Sequence, residues 1–237
     1  LSTVFPTGAS VLLGPNGAGK STLLGLVADT LRPRTGTINI EGLGEPGTRG
    51  NRRRYRRGVA WLPQRSGAFP GLTAREHVAY CGWLKGLSRA DALEHARKAL
   101  EVVGIPSPAE RLKAYPHQLS GGMRQRVAIA MALLHSPSVI IADEATTALD
   151  VSIQGQILAE VRELADRTGA AVVWITHDLA VVSSLADDIC VMYAGRIVER
   201  GTAAQVIGHP RHPYTRGLLD SIPALHEPGR RLPQIPG

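Results

Sequence analysis

The 237-residue sequence predicts an α/β fold with a mostly parallel sheet flanked by helices, an inserted helical subdomain and a short C-terminal extension. Short apolar segments alternate with stretches of helical periodicity, which is typical of parallel strands joined by crossover helices. A glycine-rich segment lies between the first predicted strand and the first predicted helix. A long helical stretch then interrupts the alternation, and the end of the chain is rich in proline and histidine.

The predicted elements follow one another in a regular order. Residues 10–13 form a strand, a glycine-rich turn comes next, and a helix runs from about residue 20 to residue 28. The pattern is helical over residues 74–135, and another helix lies near residues 151–167. Further strands are predicted at residues 37–40, 59–62, 139–142, 171–176 and 189–193, the last of which closes the sheet.

The order of these elements indicates a single core domain with additions. We assign residues 1–207 to the core domain, with its helical subdomain at about residues 71–136, and residues 208–237 to the C-terminal extension. Helical spacing predicts three faces that pack inward, namely Leu93, Ala96, Leu100 and Val103; Val127, Ala130, Met131 and Leu134; and Ile153, Ile157, Val161 and Leu164.

Composition argues against several classes of protein. No segment approaches the roughly 18 uninterrupted apolar residues of a membrane span, and no signal-peptide pattern is present. Cys81 and Cys190 have neither CxxC nor metal-ligand spacing, so the sequence predicts neither a disulfide framework nor a zinc site. We therefore expect a cytosolic protein, with any membrane work done through other subunits.

The net charge of +7 is concentrated in a run at residues 49–57 that contains six arginines. A solvated loop between two strands is the leading interpretation, because charge runs are usually exposed. Contact with anionic lipid headgroups or with nucleic acid is the alternative. This run contains no interleaved aromatic platform of the kind that single-strand binders use, so we expect no nucleic-acid partner.

The glycine-rich segment, residues 14–21, reads Gly-Pro-Asn-Gly-Ala-Gly-Lys-Ser and matches the pattern GxxxxGK[ST]. Glycines let backbone N–H groups turn toward phosphates, and the start of the following helix adds a positive dipole end. Lys20 supplies charge for the β- and γ-phosphates, and the Ser21 hydroxyl can ligate Mg²⁺. We predict a nucleoside triphosphate site formed by Gly14, Pro15, Asn16, Gly17, Ala18, Gly19, Lys20, Ser21 and Thr22.

Two acids end the strand predicted at residues 139–142. Consecutive strand residues point to opposite faces, so Asp143 and Glu144 should play different roles. Asp143 is the candidate metal ligand, and Glu144 is the candidate base or orienting group for an attacking water. His177 ends another strand and is a candidate contact for the γ-phosphate. Gln64 follows the strand at residues 59–62, from where it could reach the metal or the water.

Residues 119–126, Leu-Ser-Gly-Gly-Met-Arg-Gln-Arg, resemble the signature motif of ABC (ATP-binding cassette) ATPases. Gln64 resembles the Q-loop of that family, residues 148–150 the D-loop, and His177 the switch histidine, all in the family's order. The resemblance implies a head-to-tail dimer, either a homodimer or a heterodimer. Each ATP would lie between the phosphate loop of one subunit and Ser120, Gly121 and Gly122 of the other.

The resemblance also implies transmembrane permease partners at the cytoplasmic face of the inner membrane, to which this chain would bind peripherally. Residues 114–126, 176–182, 192–199 and 209–219 resemble ATPases that import oligopeptides and dipeptides, which also use a substrate-binding receptor protein. Residues 69–78 and 83–86 are more similar to drug- and multidrug-exporter ATPases. We favour peptide import, with export or a non-transport ABC protein as the alternatives.

Two features depart from the family pattern. Ala145 stands where the family usually has proline after the catalytic glutamate. ABC ATPases stack adenine on an aromatic residue well upstream of the phosphate loop, and Phe5 is too close to Gly14 for that role. The sequence also starts without methionine, and it stops at Gly237, where peptide-importer ATPases commonly continue into a cysteine-containing tail. We therefore expect a longer natural chain at both ends.

Overall fold

A six-stranded sheet forms the centre of the molecule. The computed structural model describes residues 1–47, 50–62, 71–105, 108–145, 151–176, 182 and 185–221. The strands lie in the order β2-β3-β4-β1-β5-β6, with β1 to β5 parallel and β6 antiparallel to β5. Their bounds are β1 Ala9–Leu13, β2 Val59–Leu62, β3 Val139–Asp143, β4 Ala171–Ile175, β5 Asp188–Tyr193 and β6 Arg196–Thr202. This mostly parallel arrangement confirms the predicted fold class.

The helices of the described residues cover both faces of this sheet. Their bounds are α1 Lys20–Val27, α2 Arg52–Gly58, α3 Ala74–Leu84, α4 Arg89–Val102, α5 Pro108–Arg111, α6 Gly121–Leu133, α7 Val151–Thr168, α8 Ala203–Gly208 and α9 Pro213–Asp220, with a short 3-10 helix at Pro116–Gln118. Local sequence sets several of the starts. Thr73 caps α3 in a capping box with Glu76, and Ser88 caps α4 by accepting a hydrogen bond from the backbone N–H of Asp91.

Successive strand residues contribute side chains alternately to two apolar layers, one on each face of the sheet. Leu12 of β1 and Ile141 of β3 lie in the layer shared with Leu24 of α1 and Tyr55 of α2. The opposite layer contains the alternate strand positions together with residues of α3, α4, α6, α7 and the C-terminal region. Burial on both faces explains why the strands read as continuous apolar runs rather than as alternating ones.

Strand register brings the functional ends together. Ile175 at the end of β4 pairs with Leu12 of β1 on one side and with Asp143 of β3 on the other. The carboxyl ends of parallel strands meet at one edge of a sheet, so the segment that follows β1 and the acids that end β3 lie at the same edge. This is where ligands bind in open α/β sheets.

Two strand predictions were wrong. Residues 37–40 do not form a strand, since only an isolated bridge links Ile40 to Gly44. The segment at residues 189–193 does not close the sheet, because β6 extends it by one antiparallel strand. The sequence signal for β6 was weak, since an edge strand with half-exposed, largely polar residues lacks the apolar run of a central strand.

The arginine run was also wrongly predicted as a loop. Residues 52–58 form α2, whose Tyr55 is fully buried and donates a hydrogen bond to the Val27 carbonyl at 2.7 Å. Arg52 and Arg56 both pair with the buried carboxylate of Asp29, at 2.8 and 2.7 Å. Burial opposes the charge on Asp29, but these two guanidinium groups hold the pKa of its carboxyl below the usual value. The run therefore anchors α2 to the end of α1.

The predicted inward faces of the helices are largely confirmed. All members that the structure describes are buried except Leu93, Met131 and Leu164, which are half-buried, while the side chain of Ile153 lies outside the described residues. Cys81 is a free, half-buried cysteine and Cys190 a free, buried one. Within the described ranges, no helix is long and apolar enough to cross a membrane. The domain boundaries remain a prediction.

Candidate active site

The phosphate loop, residues 14–21, connects the end of β1 to the first turn of α1. Gly14, Gly17 and Gly19 have φ of +147°, +80° and +98°, a region that residues with a Cβ rarely adopt. A Cβ at Gly14 would also collide with the carbonyl oxygen of Met192. The path of the backbone therefore requires these glycines.

The start of α1 offers backbone donors. Gly19 caps the helix without a side-chain hydrogen bond, and its first turn contains no acidic residue. The first N–H groups of a helix have no intrahelical partner and carry the positive end of the helix dipole. Ser21 and Thr22 lie exposed in this turn. Such a helix start binds an anionic group.

Lys20 folds back across the phosphate loop. Its ammonium donates hydrogen bonds to the carbonyls of Gly14 at 2.7 Å and Pro15 at 2.9 Å, and only 8% of the residue is exposed. Burial lowers the pKa of Lys20 below its usual value, while the negative charges of Glu144 and Asp143 partly counteract that effect. The cation is therefore held between the loop carbonyls and within electrostatic reach of both acids.

The two acids follow one another at the end of β3. Asp143 is the last strand residue and is half-buried. Glu144 has a φ of +48°, and its N–H donates a hydrogen bond to the Ile175 carbonyl at 3.1 Å. A left-handed conformation at a residue other than glycine costs free energy and is often found at functional sites. The backbone of Glu144 is thus fixed by β4 in an uncommon conformation beside Lys20.

Oxygen donors suited to Mg²⁺ are present at this edge. Mg²⁺ is usually held by one or two carboxylates together with substrate phosphates and waters, rather than by a protein cage. The Asp143 carboxylate and the Ser21 hydroxyl match that need. In the part of the chain that the structure describes, no group of three or more His, Cys, Asp and Glu residues could hold a metal alone.

The signature segment begins a helix within the stretch predicted as helical. Ser120 caps α6, where its Oγ accepts a hydrogen bond from the N–H of Met123 at 3.3 Å. Ser120 and Gly121 are exposed, while Gly122 is buried. Within the described ranges, no hydrogen bond joins these three residues to the phosphate loop of the same chain. Gln64, His177 and residues 148–150 lie outside the described residues.

Sequence reasoning missed the turn between β5 and β6, formed by Ala194 and Gly195. The Gly195 N–H donates a hydrogen bond to the Ala18 carbonyl at 3.0 Å, and the buried Met192 lies in the same apolar layer as Ala18. Residues 192 and 193 end a predicted strand, but residues 194–199 carry only a family likeness in the sequence. Gly195 is a local signal for a turn, but nothing in the sequence around it indicates a contact with the phosphate loop.

Most of the chain matches a known family model. Residues 2–147, which include the phosphate loop, the signature segment and the two acids, match the ABC transporter family model. The chain belongs to the ABC transporter family. Residues 198–237 match a second model, described as the oligopeptide/dipeptide transporter C-terminal region. The predicted family is confirmed, and so is the likeness of the C-terminal residues to peptide transporters.

Curated relatives in the ABC transporter family carry names that agree with both models. The dipeptide transport ATP-binding protein DppD of Bacillus subtilis (strain 168) is 52% identical over 153 residues, or 65% of this chain and 46% of that protein. The oligopeptide transport ATP-binding protein OppD of Salmonella typhimurium (strain LT2) is 50% identical over 153 residues, again 65% of this chain and 46% of that protein. The chain spans about half the length of the curated relatives it matches.

Solved ABC structures share the fold. A dimeric ATP-binding cassette in a post-hydrolysis state, bound to ADP and Pi, is 28% identical with a TM-score of 0.72, covering 85% of this chain and 88% of its own. The ATP-binding subunit of an ABC transporter is 30% identical with a TM-score of 0.71, covering 84% of this chain and 80% of its own.

Proposed function

We propose that this chain binds and hydrolyses ATP as the ATPase subunit of a dipeptide or oligopeptide import transporter. The observation that carries the ATPase proposal is the position of Lys20 at the start of α1, buried beneath the phosphate loop and within electrostatic reach of Asp143 and Glu144. A buried cation, unpaired helix N–H groups and two acids at one sheet edge are what phosphate binding and phosphoryl transfer to water require.

Binding of the triphosphate falls to the loop and the helix start. The backbone N–H groups of residues 14 and 16–22 surround the phosphates, and the Lys20 ammonium exchanges loop carbonyls for phosphate oxygens. The Ser21 hydroxyl and the Asp143 carboxylate would hold Mg²⁺. When bound, that ion neutralises charge on the phosphates. Gln64 joins this group through the family resemblance alone.

Hydrolysis falls to Glu144. Its carboxylate accepts a proton from, or orients, the water that attacks the γ-phosphorus, with His177 as the proposed γ-phosphate contact. The fixed backbone of Glu144 supports this role, because a base must be held in position relative to its water. Lys20 stabilises the charge that develops on the leaving phosphate oxygens.

A head-to-tail dimer completes the site. The exposed start of α6, with Ser120 and Gly121, offers helix N–H groups to a phosphate outside its own chain. The likeness to a dimeric ATP-binding cassette supports this arrangement. ATP would then join the two subunits, and its hydrolysis would release them. The second subunit is either a copy of this chain or another ABC ATPase.

Peptide import is supported by the C-terminal match and by the names of the relatives. Transmembrane permease subunits and a substrate-binding receptor protein are the proposed partners, at the cytoplasmic face of the inner membrane. The end of α3 presents exposed Trp83 and Leu84, with Tyr80 stacked on Trp83 at 5.8 Å between ring centroids. This apolar patch lies between Gln64 and the signature segment, the stretch that the resemblance to ABC ATPases implies for permease contact.

Lys20→Ala tests the ATPase proposal. We expect ATP turnover to fall by about a hundred- to a thousandfold, because a preorganised positive charge at the phosphates is lost. The measurement is phosphate release by the purified protein with its permease. Lys98→Ala, at an exposed position of α4, is the matched control and should leave the rate unchanged. Near-normal turnover by Lys20→Ala would contradict the assignment.

Peptide import is tested separately, in proteoliposomes that contain the transporter with its receptor protein. Labelled di- and oligopeptides should accumulate on the side of the ATPase only when ATP is supplied on that side. Accumulation on the opposite side would contradict import while leaving the ATPase proposal intact.

A further inference from the structure

The turn between β5 and β6 supports the phosphate loop from behind. Its Gly195 N–H bonds the Ala18 carbonyl at 3.0 Å. Met192 bounds the loop at both ends, since a Cβ at Gly14 would meet the Met192 carbonyl, and a Cβ at Gly19 would lie 3.2 Å from the Met192 Cε. The path of the loop therefore depends on where this turn lies.

The same hairpin carries the C-terminal segment, which we define as residues 209–221. Glu199 of β6 accepts hydrogen bonds from the backbone N–H groups of Arg211 at 2.7 Å and His212 at 2.9 Å. The Nδ1 atom of His212 in turn accepts a hydrogen bond from the N–H of Tyr214 at 3.1 Å, which caps α9. One carboxylate on the hairpin thus fixes the start of α9.

An aromatic contact joins α9 to the strand next to the loop. The rings of Tyr214 and Tyr193 lie 4.6 Å apart between centroids, at an angle of 40°. Tyr193 directly follows Met192, and successive strand residues point to opposite faces. Met192 accordingly packs with Ala18 in one apolar layer, while Tyr214 packs against the other. A displacement of Tyr193 would also move Met192, because a single peptide unit connects the two residues.

The geometry points to Tyr214 as a positioning residue for nucleotide binding, acting on the phosphate loop through Tyr193 and Met192. The inference rests on the proposed function, because it assumes that the phosphate loop binds a nucleotide. It gives the C-terminal segment a direct physical connection with the site, although the segment itself need not contact the nucleotide. Tyr214→Phe keeps the ring and should behave like the unsubstituted protein, whereas Tyr214→Ala removes the contact.

The test is the dissociation constant of Mg-ADP, measured by calorimetry on the 237-residue chain and its variants. We expect Tyr214→Ala to weaken binding by about three- to tenfold, the ratio that corresponds to the loss of one aromatic pair. Tyr214→Phe should bind Mg-ADP with a dissociation constant within about twofold of that of the unsubstituted protein. In hydrogen exchange, the amides of residues 14 and 16–20 should exchange faster in Tyr214→Ala than in the unsubstituted protein.

Val103→Ala separates positioning from general destabilisation. Val103 is buried at the end of α4, in the helical insertion, so this variant should lower the melting temperature without changing the affinity for Mg-ADP. Equal affinities of Tyr214→Ala and the unsubstituted protein would overturn the inference, and so would an equal loss in Val103→Ala. If the unsubstituted chain failed to bind Mg-ADP, the proposed function itself would be contradicted, and this inference with it.

Discussion

Single backbone conformations shape the phosphate loop. Gly14 and Gly17 both have positive φ, but their surroundings differ. A Cβ at Gly14 would collide with the Met192 carbonyl, whereas nothing lies within 4 Å of the position of a Cβ at Gly17. The two glycines therefore separate the cost of an unfavourable φ from the cost of a steric clash.

We predict that Gly14→Ala lowers the free energy of unfolding by about 2–4 kcal/mol, because strain in φ and a backbone clash add together. Gly17→Ala should cost only about 1–2 kcal/mol, since strain in φ acts alone there. Urea denaturation of both variants measures the difference. Equal losses of stability would contradict the role given to Met192.

At the scale of elements, Arg126 connects α6 to the end of α4 and to α7. It donates hydrogen bonds to the Val103 carbonyl at 2.6 Å and to the Glu160 carboxylate of α7 at 2.6 Å, and only 12% of its side chain is exposed. Burial raises the pKa of Glu160 above the usual value even though Arg126 counteracts that effect. The positive charge of Arg126 thus partly offsets the loss of hydration of the Glu160 carboxylate.

We predict that Arg126→Ala lowers the free energy of unfolding by about 2–4 kcal/mol, because it leaves Glu160 without its partner in a half-buried place. Arg97 provides the matched control, since it pairs with Glu94 and Glu101 on the exposed surface of α4. Arg97→Ala should have a far smaller effect, because solvent screens exposed pairs. Thermal denaturation of the two variants decides, and similar losses would count against the account.

The C-terminal segment should depend on pH through Glu199. Burial tends to raise the pKa of this carboxyl, but the Thr215 hydroxyl and the N–H groups of Arg211 and His212 outweigh it and lower the pKa below the usual 4.5. A lowered pKa in the folded state means that the ionised form stabilises the fold. That stabilisation is fully present above the unfolded-state pKa and is lost as pH falls through the folded-state value.

We therefore predict that Glu199→Gln is less stable than the unsubstituted protein by about 1 kcal/mol near neutral pH. The difference should be constant above about pH 5.5 and shrink below the usual pKa of 4.5. Denaturant unfolding at a series of pH values measures it. A difference that grows as pH falls would have the wrong sign for this account.

Elements stabilised by local features of the sequence were predicted, and elements held by distant contacts were not. The central strands were predicted closely because burial on both faces leaves an apolar run that can be read locally. Helix α2 was missed because its anchors, Asp29 and the Val27 carbonyl, lie more than twenty residues away along the chain. Tertiary contacts of that kind override local propensity and leave no periodic signal.

At the scale of the whole molecule, the site is assembled at one sheet edge by strand register. The phosphate loop could be predicted from sequence, because its glycines, Lys20 and the adjoining helix are contiguous. The support from Met192 and Gly195 could not, because it depends on β5 pairing beside β1. The same register brings Asp143 and Glu144 toward Lys20, which is the central relation of the proposed ATPase.

Removing the charge of Glu144 should separate binding from hydrolysis. Glu144→Gln keeps the size of the side chain, and the loss of a negative charge near the γ-phosphate should leave ATP binding intact or strengthen it. The variant should therefore accumulate as an ATP-bound dimer, which light scattering with Mg-ATP detects. Lys20→Ala should remain monomeric under the same conditions. Loss of ATP binding in Glu144→Gln would contradict the division of roles between Asp143 and Glu144.

The rate of phosphate release by Glu144→Gln, at saturating Mg-ATP, tests the central claim most directly. We predict that this rate falls by about a hundred- to ten-thousandfold, the range expected for loss of a general base. Glu163→Gln, at an exposed position of α7, removes the same charge and should hydrolyse ATP at the normal rate. A normal rate in Glu144→Gln would contradict the claim that Glu144 activates the attacking water.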